Sequence, residues 1–204
     1  RELVLTLRER YDLVVSEPSN PYRAGVASLF TTEFYEAVSA RLKPSGLFAQ
    51  WVQAYELSPR AVASVLGTLA GPFRFVETWE TLVIGDLVLL ASNIELQHDV
   101  SVIRGRTETE PYRSALAYVW GVSGVEGLYT GFVAAPSFAR SVRYDRSAFI
   151  TSDDRMLLEF SSARDVGRAV TFSTEDLRSS AARADLNRPA TMNGDIDWDV
   201  VSEL

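Results

Sequence analysis

Tyr11-Asp-Leu-Val-Val-Ser-Glu-Pro-Ser-Asn-Pro-Tyr-Arg-Ala-Gly-Val-Ala-Ser-Leu-Phe-Thr-Thr32 reads as a strand, a polar elbow and the start of a helix. Leu13, Val14 and Val15 form a short apolar run rich in β-branched residues, which suits a strand buried on both faces. Pro18 and Pro21 break that run into a loop carrying Glu17, Ser19, Asn20 and Tyr22. Ligands of open parallel sheets bind at the carboxyl ends of strands, so the elbow is where chemistry is expected.

Upstream, Leu3, Leu5 and Leu7 stand among charges and fit the end of a helix leading into Tyr11. A strand buried on both faces needs neighbours on both sides, so either later strands supply them or the chain is a fragment. Downstream, Thr31 is a suitable N-cap, with Phe30 and Tyr35 placed for a hydrophobic staple across it. Phe34, Val38 and Leu42 recur every four residues, predicting a helix from about Thr32 to Lys43 that Pro44-Ser-Gly46 ends. Leu47 to Tyr55 reads as a second strand. Ser58-Pro59 opens a helix with Val62, Val65, Leu66 and Leu69 on one stripe, closed by Gly71-Pro72.

Phe73–Trp79 and Asp86–Ser92 are two further strands whose short connection demands an antiparallel pairing. Residues 1–92 therefore read as half of an α/β sheet with an antiparallel strand at its end. Residues 93–160 read as a helical extension closing on that domain, with a short strand at Met156–Phe160. Residues 161–204 read as a small helix, Ser173 to Ala184, and an acidic, flexible tail.

Composition narrows the chemistry. The 204 residues are 47% hydrophobic, enough for a real core. The chain has no cysteine and a single histidine, His98, which removes disulfide frameworks, Cys-ligated zinc and Ser-His-Asp catalysis and leaves no metal site in view. A net charge of -7 and a pI near 4.8 argue against nucleic acid and anionic membranes and favour a small cationic substrate. No window approaches the ~20 apolar residues of a membrane span, and no signal peptide follows Arg1, so the expected location is the cytoplasm.

Glu17 is the sharpest candidate. A carboxylate just past a buried strand, between prolines that stiffen its loop, can take a proton from an amine or hold a cation; its alternative is a loop glutamate capping a backbone amide. Ser19, Asn20 and Tyr22 add an amide acceptor and an aromatic wall, though the bare tetrapeptide is also a turn signal. Gln50, Trp51, Gln53 and Tyr55 can line the same cleft from the next strand, or the aromatics can be core. Asp153-Asp154-Arg155 either reaches over the cleft or forms a solvated turn with a local ion pair. Gly121, Gly124 and Gly127 have the wrong spacing for a dinucleotide loop, and His98 reads as a surface residue.

Together, Tyr11-Asp-Leu-Val-Val-Ser-Glu-Pro-Ser-Asn-Pro21, Ser28-Leu-Phe-Thr-Thr-Glu-Phe-Tyr35, Leu42-Lys-Pro-Ser-Gly46 and Ser152-Asp-Asp-Arg-Met-Leu-Leu-Glu-Phe160 resemble the spermidine synthase-like (polyamine aminopropyltransferase) family, in particular its bacterial, often membrane-fused branch. The resemblance covers roughly Arg1 to Phe160. It implies a class I methyltransferase-type Rossmann fold that transfers an aminopropyl group from decarboxylated S-adenosylmethionine to a diamine. The family's Asp-x-x-Asp-Pro elbow falls on Glu17, Asn20 and Pro21, the first acid acting as base and the second helping to hold the diamine. Here Glu17 keeps a carboxylate one methylene longer, whereas Asn20 carries no charge. The glycine-rich donor loop and the ribose-binding acid belong to the first half of that fold. The resemblance therefore makes residues 1–92 the second half of a Rossmann-like sheet, and implies a C-terminal half that is inactive alone and binds no cofactor, with decarboxylated S-adenosylmethionine or S-adenosylmethionine as co-substrate in the full-length protein. The expected acceptor is a small amine, held by Glu17, Ser19, Asn20, Tyr22, Gln50 and Tyr55. Two other readings stand beside it: an interaction module forming a homodimer through an exposed sheet edge, and an N-methyltransferase, since Ser19-Asn-Pro-Tyr22 partly resembles Asn-Pro-Pro-Tyr.

Overall fold

The computed structural model describes all residues other than 22, 24, 54, 82–84, 145–147 and 166–171. In chain order its elements are α1 (Glu2–Thr6), β1 (Tyr11–Ser16), a 3-10 turn (Val26–Leu29), α2 (Thr32–Arg41), β2 (Leu42–Val52), α3 (Pro59–Leu69), β3 (Phe75–Glu80) and β4 (Leu87–Ser92). There follow β5 (His98–Asp99), α4 (Val100–Thr107), α5 (Tyr112–Ala115) with a π turn to Trp120, α6 (Gly124–Tyr129), β6 (Phe132–Ala134), α7 (Pro136–Arg143), α8 (Leu157–Asp165), α9 (Thr174–Arg183), β7 (Thr191–Met192) and α10 (Trp198–Glu203).

The helix starts are dictated locally. Thr31 caps α2 by accepting from the amide of Phe34, and Ser58 caps α3 by accepting from that of Ala61. The main sheet has the order β1-β2-β4-β3-β6. β1 and β2 are parallel, and β4 is antiparallel to both β2 and β3. Consequently β3 runs in the same direction as β1 and β2. The α/β half-sheet with its antiparallel pair is thus present, and β4 is inserted inside the sheet rather than added at its end. Gly46 is required where β2 passes β1, because a Cβ there would stand 2.8 Å from the carbonyl oxygen of Tyr11.

α2, α3 and α7 cover one face. Phe48 lies at the centre of that core, stacked on Phe73 at 5.7 Å between ring centroids and edge-on to Phe34 at 6.3 Å. A second, smaller core joins Val100, Val125, Tyr129, Phe132 and Ile196, with Trp79 and Trp198 packed against it.

Four expectations are corrected. β1 is not buried on both faces: Leu13 is 54% and Val15 64% exposed, while Val14 between them, on the opposite face, packs against the core. Met156–Phe160 is not a strand; it enters α8, since a short apolar run without β-branched residues fits a buried helix equally well and Leu158 packs into the core. The stretch 93–160 is not purely helical, because β6 joins the main sheet beside β3. The acidic stretch after Asp185 is folded back: β7 pairs with β5, Asp197 caps α10, and Ile196 is buried.

Candidate functional site

The parallel register sets Ser16 beside Gln50, so the carboxyl ends of β1 and β2 open onto one edge of the sheet. At that edge the prolines do the positioning. Pro18 and Pro21 are buried, whereas Glu17 and Ser19 between and beside them are exposed and Asn20 is half-buried. The carbonyl of Asn20 accepts from the amide of Arg23 at 3.0 Å, which closes the turn.

β2 ends at Val52 rather than continuing to Tyr55, and the segment after it contributes one contact to the elbow. Tyr55, 48% exposed, donates its hydroxyl to Oδ1 of Asn20 at 3.5 Å. Its backbone is in turn held by Gln53, whose Nε2 donates to the carbonyl of Tyr55 at 2.8 Å. The Oε1 atoms of Gln50 and Gln53 are buried without a hydrogen-bond partner among the described residues. Of the two, only that of Gln53 belongs to the segment that touches the elbow, through Tyr55.

The structure thus brings together Glu17, Ser19, Asn20 and Tyr55. Gln50 borders the elbow only through its register with Ser16. It is fully buried on the face that carries Phe48 and Val52, and its Nε2 donates to the carbonyl of Trp51. Tyr22 lies outside the described residues. The Asp153 turn does not reach the elbow contacts. Asp153 pairs with Arg1, which holds its carboxyl below the usual carboxylate range, and its amide donates to Glu33 at 3.0 Å, pinning the start of α2.

A second polar cluster lies elsewhere. Glu77, fully buried in β3, accepts from Nε2 of His98 at 2.9 and 3.1 Å and from Nε1 of Trp79 at 3.1 Å. Nδ1 of His98 meets the Tyr129 hydroxyl, and burial together with the Glu77 charge pushes that hydroxyl's pKa up. His98 is therefore a network residue rather than a surface one. The available signal was Glu77 itself, an acid between Val76 and Thr78 in a strand with little room for an unpaired charge. Among the described residues no group of three or more His, Cys, Asp or Glu side chains is arranged to hold a metal.

No family model matches the chain. Over 84 residues it is 33% identical to polyamine aminopropyltransferase 2 of Hyperthermus butylicus, an alignment covering 41% of this chain and 28% of that protein. Over that stretch the chain is similar to a polyamine aminopropyltransferase. A probable spermidine synthase from Corynebacterium glutamicum is a structural neighbour with a TM-score of 0.42 and 16% identity, covering 74% of this chain and 51% of that one. The chain therefore spans about a quarter of the curated relative and half of the solved one. No helix among the described residues is long and apolar enough to cross a membrane.

Proposed function

We propose that the chain is the acceptor-side half of an aminopropyltransferase, with Glu17 as base or amine anchor and Asn20 and Tyr55 beside the acceptor. The observation that carries this reading is the elbow, an exposed carboxylate held by two buried prolines at the carboxyl edge of a parallel strand pair. In the reaction the lone pair of a small amine forms a C–N bond to the aminopropyl carbon as the C–S bond to the sulfonium breaks. The thioether leaves, and the proton released from nitrogen passes to the carboxylate of Glu17. Decarboxylated S-adenosylmethionine supplies that carbon. The residues of this chain fit the acceptor role, since Glu17 and the Asn20 amide oxygen are acceptors. Loss of the second carboxylate at Asn20 leaves only one charge to attract the amine, which favours a monoamine or a weakly held diamine.

Calorimetric titration of the full-length protein with decarboxylated and ordinary S-adenosylmethionine tests the reading. Binding of the decarboxylated donor is expected, and Glu17→Gln is expected to lower turnover about 100-fold or more while the donor still binds. Binding of neither donor by a folded preparation sinks the proposal, and preference for the methyl donor converts it to N-methyl transfer.

A second reading is favoured by one observation, the exposed Leu13 and Val15 on a strand paired on one side only. An uncovered strand edge is a template for pairing, so the chain would act as an interaction module through a homodimer. Light scattering of the 204-residue chain is then expected to give a dimer mass that Val15→Lys halves. A monomer at every concentration rules this reading out.

A further inference from the structure

Three arginines from distant parts of the chain line one depression of about 370 Å³: Arg74 before β3, Arg140 on α7 and Arg188 before β7, the last also bordering the neighbouring depression that holds Trp198. In a chain of net charge -7 such a concentration of positive charge is against the average. Each arginine is oriented without being neutralised. Arg140 donates to the carbonyl of Arg74, Arg74 lies 5.4 Å from the Phe75 ring centroid, and Arg188 lies 5.3 Å from that of Trp198. None of the three is in an ion pair among the described residues, and Glu95 is the one acid that lines the same depression.

We propose that this depression binds a small phosphate monoester. Three positive charges against one negative leave a surplus of two, which matches a dianion rather than a carboxylate. Planar guanidinium forks address phosphate oxygens in pairs, and two of the three are already held by aromatic rings, so less side-chain freedom is lost on binding. The Phe75 side chain in the wall accommodates the ester's organic group. The overall negative charge disfavours a long polyanion such as nucleic acid. Phe75 begins β3, which runs parallel to β1, so the depression lies at the sheet edge opposite Glu17 and is independent of the elbow.

The test is calorimetric titration of the whole chain with phenyl phosphate, beside benzoate and vesicles containing phosphatidic acid. Saturable one-to-one binding of phenyl phosphate is expected, weakened about tenfold by Arg140→Gln and by Arg188→Gln, and tightened by Glu95→Gln. All three positions are on the surface, and a circular dichroism spectrum unchanged from the parent certifies the fold of each variant. Absence of saturable binding, equal affinity for benzoate, binding to vesicles only, or affinity unchanged in both arginine variants overturns the proposal.

Discussion

Replacing His98 by leucine is expected to cost the fold about 3 to 5 kcal/mol, the loss typical of breaking a buried pair from one side. Glu77 is 0% exposed and its carboxylate has two donors among its described contacts, His98 and the indole of Trp79. Leucine fills much of the ring's volume but offers no N–H, so Glu77 and the Tyr129 hydroxyl each lose a partner. The double variant Glu77→Leu, His98→Leu removes the stranded charge and is expected to regain most of that loss. Urea denaturation midpoints decide the matter. A double variant as unstable as the single one would show that ring packing, not the polar pair, is what His98 contributes.

Phe48→Ala is expected to destabilise by about 3 to 5 kcal/mol, as large aromatic truncations in closed cores do. The ring is fully buried between Phe34, Tyr35 and Phe73, each in a ring contact with it, and the surrounding strand and helices cannot all close on the void. Leu13→Ala in the neighbouring strand is the internal control, since more than half of that side chain is already exposed. A loss under about 1 kcal/mol at Phe48 would mean that the core relaxes around the missing ring.

The parts of the fold legible in the sequence are those whose signals are local. Thr31 and Ser58 announce their helices by the capping atom, and the connection after Trp79 is too short for a parallel crossover. The elbow was legible for the same reason, since two prolines and a glutamate occupy five consecutive positions. What could not be read depends on distant partners. β6 is three residues long and becomes a strand only because β3 offers it an edge. The exposure of Leu13 and Val15 is a property of what does not cover them, and no periodicity within β1 encodes it. His98 carries no local mark of its role, because Glu77 is 21 residues upstream and Tyr129 is 31 downstream. Ile196 and Trp198 lie in a stretch whose acidity suggested solvent, yet their apolar surface finds Val100 and Tyr129.

The insertion of β4 between β2 and β3 carries a kinetic consequence. β2 and β3 share a direction but no hydrogen bonds, so the left and right portions of the sheet are joined through a single seam. β3 and β4 are neighbours along the chain and can zip early, at the low loop-closure cost of a hairpin. β2 is then captured only when that hairpin arrives in register, Phe48 opposite Ala91. That same register faces Phe48 into the aromatic core, so a slip of one residue along β2 would both shift the backbone ladder and turn Phe48 to the other face of the sheet.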